Sequence, residues 1–265
     1  MSTARTLGHS AMTMRLWAPV LATAIVLALW EILAVTGVFP PELPPATDIA
    51  AWLGQNLAGS ELWVAVGRTL AHWLLALGIG IAIGATVGAL MALVPVVHEL
   101  LLGVVEFFRP IPVVVYLPIM LLLFGARPQV VVILAAVAAI WPMLLQTLYG
   151  MRAIEPVMRD TARVYGLSAR QRLAWVAVPS LLPYFATGVR LASTITLLAA
   201  VSVELIGAVP GLGSTLSTYA ANGIYDAVYG IIAVTGLIGV ALDSGLERWE
   251  RRVLRWHPSR RPRNA

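Results

Sequence analysis

Apolar runs about as long as a bilayer is thick recur along this chain, and they fix what it can fold into. A helix needs about 20 mostly apolar residues to cross a hydrocarbon core of about 30 Å. Six stretches meet or approach that length: residues 19–38, 68–94, 100–124, 129–149, 181–203 and 227–242. The expectation is an all-α membrane protein with about six transmembrane helices. Composition agrees, because 59% of the 265 residues are hydrophobic and 12% charged, where a water-soluble domain carries about a quarter charged.

The net charge of +5 does not point to nucleic acid. The basic residues fall between apolar runs: Arg5 and Arg15, a middle group at 152–172, and a last group at 248–263. Such clusters read as cytoplasmic anchors. The loops at 39–67 and 204–225 hold no arginine, only Glu42, Asp48, Glu61 and Glu204, while Arg68 and Arg127 run against the trend. Both termini are therefore expected in the cytoplasm. Three regions follow: a tail, first span and extracytoplasmic loop at 1–67, a core at 68–245, and a basic tail at 246–265.

The chain has no cysteine, which excludes disulfides, thiolate metal sites and cysteine nucleophiles. All eighteen basic residues are arginine, so the lysine of a phosphate-binding P-loop is missing. If ATP drives this protein, another subunit hydrolyses it. No cofactor or metal is expected on this chain. The small-x-small triplet Ala22-Thr23-Ala24 suggests a signal cleavage site, but the apolar run continues to Val38, so an uncleaved span is expected.

Several local signals break the runs. The proline-rich stretch 39–45 cannot be continuous helix, and Thr47 or Asp48 could cap a short surface helix over 47–57. The third span is interrupted by Arg109-Pro110-Ile111-Pro112 and again by Pro118. No convincing internal repeat is present.

The polar stretch at 150–179 spells helix, turn, helix. Glu155-Pro156 opens the first helix, and Gly166 ends it in the left-handed region. Ser168 and Gln171 have capping-box spacing, and Pro179 is expected to stop the second helix. On the first helix Met158, Ala162 and Tyr165 share an apolar face, while Arg159 and Arg163 lie one turn apart on another. Such a helix suits a partner's groove, although an ordinary solvated loop fits the pattern equally.

Asp160-Thr161-Ala162, three residues, Gly166, nine residues, then Val176-Ala177-Val178-Pro179 resembles the EAA signature of binding-protein-dependent ABC importer permeases. That signature reads Glu-Ala-Ala, three residues, Gly, nine residues, Ile, one residue, Leu-Pro. The spacings match; Asp, Thr and two Val replace Glu, Ala, Ile and Leu. Leu43-Pro44-Pro45-Ala46, Arg109-Pro110-Ile111-Pro112, Tyr116-Leu117-Pro118, Phe124-Gly125 and Gly211-Leu212-Gly213 look like the nitrate, taurine and sulfonate branch.

The resemblance implies a methionine-importer-permease-like core in the inner membrane of a prokaryote. It also implies a coupling-helix loop that docks on an ABC ATPase dimer, with ATP and Mg used by that partner. A second copy of the permease would complete the path, and an extracytoplasmic binding protein would deliver the solute. A pyrimidine-type vitamin precursor is the alternative to a small anion. An intramembrane hydrolase lacks a convincing Ser–His pair, and a channel or secondary transporter would leave the loop merely structural.

Charges at mid-bilayer cost about 3 kcal/mol or more, so they usually face a cavity or a partner. Arg109, Glu204 and Arg190 are the candidates for the translocation path, with Glu31 less central. Gly80, Gly84 and Gly88 recur every four residues and read as close helix packing. His72 and His98, near opposite ends of the second span, read as interfacial or structural.

Overall fold

The structure is a computed structural model that describes residues 4–254, with the side chains of residues 4–17, 19 and 159 outside the described set. The end of the basic tail, beyond residue 254, also lies outside it. Among the described residues the chain is helical, without strands. Its helices are α1 (Ala4–Val35), α2 (Ala46–Asn56), α3 (Ser60–Leu93), α4 (Pro95–Phe108) and α5 (Leu117–Phe124). There follow α6 (Pro128–Arg152), α7 (Pro156–Val164), α8 (Ala169–Arg172), α9 (Val178–Gly207), α10 (Leu212–Ala221) and α11 (Tyr225–Val253).

Among the described residues four helical runs are long and apolar enough to cross a membrane: α3, α6, the continuous Ala169–Gly207 run, and α11. The α4–α5 pair would be a fifth crossing, but it bends by 84°. Length thus gives four or five crossings where the sequence suggested about six. In α1 only Val20–Val35 is described as a shorter apolar helix. The α4–α5 pair is an elbow because Pro110 and Pro112 supply no N–H. The chain turns there through Ile111 N–H to Phe108 O (3.2 Å) and Val115 N–H to Pro112 O (3.0 Å). Pro118 does not break this run a second time. It sits in the first turn of α5, where a missing N–H is harmless.

The chain divides into two compact units, Met1–Ser60 with Thr218–Ala233, and Glu61–Ser217 with Val234–Ala265. In the first, Trp52 is buried against Gly230, where a Cβ would collide with the indole. Trp30 donates from Nε1 to Pro44 O at 3.0 Å. Glu31 accepts from the Thr47 hydroxyl (2.8 Å) and backbone N–H (3.2 Å). The start of α2 therefore takes its acceptor from α1, and neither Thr47 nor Asp48 caps it; the N-cap is Pro45.

In the second unit α6 is the centre, with Val130, Val131, Ala135, Ala139 and Met143 shielded from solvent. The glycine stripe of α3 lies on it. A Cβ on Gly84 would stand 2.7 Å from Ile140 O, and one on Gly80 or Gly88 would strike Ala139 or Leu144 O. The expected close packing is present. Between lipid-solvated helices it is van der Waals contact, not hydrophobic expulsion, that such an approach strengthens.

Candidate functional site

Local chemistry builds the loop between α6 and α9 largely as its residues dictate. Glu155 is the N-cap of α7, with Pro156 in the first turn. At the other end Gly166 takes φ +66°, and Leu167 N–H reaches back to Ala162 O at 3.0 Å, the six-to-one bond of a left-handed helix cap. Nothing crowds Gly166, so its backbone angle alone calls for glycine. Ser168 then forms the capping box: its N–H donates to Gln171 Oε1 (2.8 Å) and its Oγ accepts from Gln171 N–H (3.4 Å).

Two expectations for this loop need correction. Pro179 does not stop the second helix, which runs on through a π turn at Leu173–Ala177 into α9. In that wider turn Val178 N–H bonds Leu173 O, five residues back, so the helix passes the proline without losing its continuity. The second correction concerns α7. Ala162 is only 4% exposed, whereas Met158 and Tyr165, a turn away on either side, stay exposed, so Ala162 is not part of the open apolar surface. The exposed apolar surface consists instead of Val157, Met158, Val164 (86%) and Tyr165 (79%). Thr161 is exposed beside them. Arg163 lies 3.4 Å from Asp160, both 69% exposed. The side chain of Arg159 lies outside the described residues.

The three intramembrane charges have separate settings. Arg109 ends α4 and lines a cavity of about 570 Å³ with the elbow, α6 and α9. Its walls include Val113, Trp141, Leu145 and Ile195, and Gln146 and Ser202 add neutral polar groups. Arg109 is the only charged side chain among the described residues of that lining. Arg190 is not in it. Its Nε and Nη2 donate to the two oxygens of Asp243 (2.6 and 3.1 Å), with Glu250 4.0 Å away. That fork ties α9 to α11.

Glu204 is fully buried in α9 rather than placed at the end of a loop. Its Oε2 accepts from the Thr69 hydroxyl (2.8 Å) and from Gly213 N–H (3.1 Å), and its Oε1 lies 2.8 Å from His72 Nδ1. Thr69 Oγ1 in turn accepts from Leu212 N–H at 2.8 Å. His72 thus takes the structural reading; His98 has a buried Nδ1 without a protein partner. Sequence reasoning missed Thr69, His72, Gln146 and Ser202 as site residues. A signal for the first two existed, since polar residues at i and i+3 in an apolar run share a helix face. Gly211-Leu212-Gly213 carried the other half, because a Cβ at Gly211 would strike the Glu204 carboxylate and one at Gly213 would strike Val201 O.

Residues 76–255, spanning the cavity, the loop and Glu204, match the family described as the binding-protein-dependent transport system inner membrane component. The chain belongs to that family. The permease is 30% identical over 240 residues to the taurine transport system permease protein TauC of Escherichia coli (strain K12), covering 88% of this chain and 87% of that one. It is 26% identical over 245 residues to the putative aliphatic sulfonates transport permease protein SsuC of Bacillus subtilis (strain 168), covering 90% and 87%. To the nitrate import permease protein NrtB of Synechococcus elongatus it is 27% identical over 253 residues, covering 89% and 88%.

Its fold matches the MetNI methionine ABC transporter, solved in inward-facing conformations, with a TM-score of 0.63 and 20% identity over 76% of this chain and 97% of that one. The methionine-importer-permease-like core expected from the sequence is thus the fold found. The permease is a membrane-embedded transport subunit of an ABC importer and not an enzyme; permeases of this kind work with an ATPase and a binding protein.

Proposed function

We propose that this permease forms the translocation path for a small anionic solute of the sulfonate, taurine or nitrate type, with Arg109 as the group that attracts it. The carrying observation is that Arg109 alone brings charge to an otherwise largely apolar cavity of about 570 Å³. The names of the relatives, which include taurine, aliphatic sulfonates, bicarbonate and nitrate, point the same way. Glu204 and Arg190, each held by partners, keep the surrounding helices in place; neither is offered to a solute.

In this reading two copies enclose the path, and both termini face the cytoplasm of a prokaryote. The apolar surface of α7 docks on the ATPase, with Arg159, Asp160 and Arg163 as its charged flank and Gly166 setting its angle. An extracytoplasmic binding protein delivers the solute. ATP and Mg act in the ATPase, whose closure moves the docked loops and switches access to the path.

The test is uptake by the complete complex in vesicles loaded with ATP, offered taurine, an alkanesulfonate, nitrate and a pyrimidine in turn. A hydrogen bond to a charged group contributes about 1.5–3 kcal/mol, so Arg109→Ala should reduce uptake of the accepted anion about tenfold or more while the complex still assembles. Uptake of the pyrimidine and of none of the anions would remove this proposal.

A further inference from the structure

A second cavity, of about 390 Å³, lies beneath α7. Leu93 at the end of α3, Met151 in the last turn of α6, Ile154 just after it, and Val176 in the π turn give it apolar walls; Arg163 and Arg172 line it as well. Those two arginines are its only charged lining residues among those described. Arg163 has Asp160 nearby, but that pair is exposed and screened. Arg172, half-buried, has no ion pair among the described residues.

The surroundings add to this chemistry. Leu90, Leu93, Leu173, Trp175 and Val178 are all exposed beside the cavity or along the elements that form it. They belong to the end of one crossing helix and the start of another, where the chain leaves the bilayer. Exposed apolar side chains with a tryptophan and arginines at that level are the composition of a membrane interface. Basic pockets between helix ends on the cytoplasmic side suit anionic lipid headgroups.

We propose that this pocket binds an anionic phospholipid, its phosphate between Arg163 and Arg172 and its upper acyl chain along Leu93 and Leu173. A free phosphate would meet the same arginines but would leave the apolar walls uncovered. Because α7 and the π turn both line the pocket, an occupied site fixes the tilt of α7 against the helix ends. The anionic lipid content of the membrane then sets how firmly the loop transmits motion.

The inference rests on residues 150–179 lying at the cytoplasmic membrane edge, but not on the identity of the solute. Its readout is lipid retention, which needs no transport. The full-length permease with its ATPase is placed in nanodiscs of equal parts phosphatidylcholine and phosphatidylglycerol, and lipids carried along are counted by native mass spectrometry. One arginine at a charged surface changes lipid affinity about fivefold, so Arg172→Gln should lower phosphatidylglycerol retention by about that factor. Arg172→Lys should restore most of it, and Arg248→Gln, which removes the same charge outside the pocket, should lower retention clearly less than Arg172→Gln does. Equal losses for Arg172→Gln and Arg248→Gln would overturn the site. Displacement of the lipid by inorganic phosphate alone would overturn the choice of a lipid.

Discussion

Glu204 shows how one residue can join its own helix to the turn that follows it and to a helix more than 130 positions away. Its two oxygens meet Thr69, His72 and Gly213, and Thr69 passes the connection on to Leu212. Away from water, leaving these groups unpaired costs about 1–3 kcal/mol each. Glu204→Ala should therefore lower the midpoint of thermal unfolding in detergent. Gly211→Ala should do so too, for another reason, because its methyl group would occupy the place of the carboxylate. The two losses should not add. With the carboxylate gone, the second substitution has room, so the double variant should be little worse than Glu204→Ala alone. Strict additivity would mean that the carboxylate does not occupy that position. The pieces of this geometry left traces in the sequence, but their assembly was not legible there. The charge stood out, but partners more than 130 positions away leave no local pattern, and the two glycines looked like a family marker and not a fit around a side chain.

At the scale of the element, α7 and its turn were the most legible part of the chain. Caps and glycine turns follow from a few neighbouring residues, and Glu155, Gly166, Ser168 and Gln171 all act where their chemistry places them. Two features of the same loop escaped, each because it depends on more than neighbours. A five-residue hydrogen bond carries the helix past Pro179, and burial beneath the loop turns Ala162 inward. Since Gly166 has open space around it, Gly166→Val should act through backbone strain alone, about 1–2 kcal/mol. The variant should insert into the membrane normally yet retain less ATPase in a pull-down. Val164→Asp, on the exposed face, should weaken the same pull-down without changing thermal stability. Normal retention by both would detach α7 from the ATPase.

For the whole molecule, the apolar runs foretold the class of fold and the arginines predict an orientation, while the number of crossings depended on how prolines bend the chain. An 84° elbow has the same composition as a straight, interrupted span. The orientation can be checked directly, because the chain has no cysteine of its own. Ser60, at the start of α3, and Ser168, at the capping box, are both exposed. In intact cells a membrane-impermeant thiol reagent should label Ser60→Cys and spare Ser168→Cys until the membrane is opened. The reverse pattern would invert the protein.

The seam between α3 and α6 places a demand on how this sequence can change length. Gly80, Gly84 and Gly88 meet Ala139, Met143 and Thr147 in the same order, so the two helices run parallel and mesh at intervals of four residues. Inserting a single residue into α3 between these notches would rotate everything beyond it by about 100° and turn a side chain onto the backbone of α6. An insertion of four completes a turn with about 40° to spare and returns a glycine close to its neighbour. Along that stretch the chain can gain or lose residues only in whole helical turns.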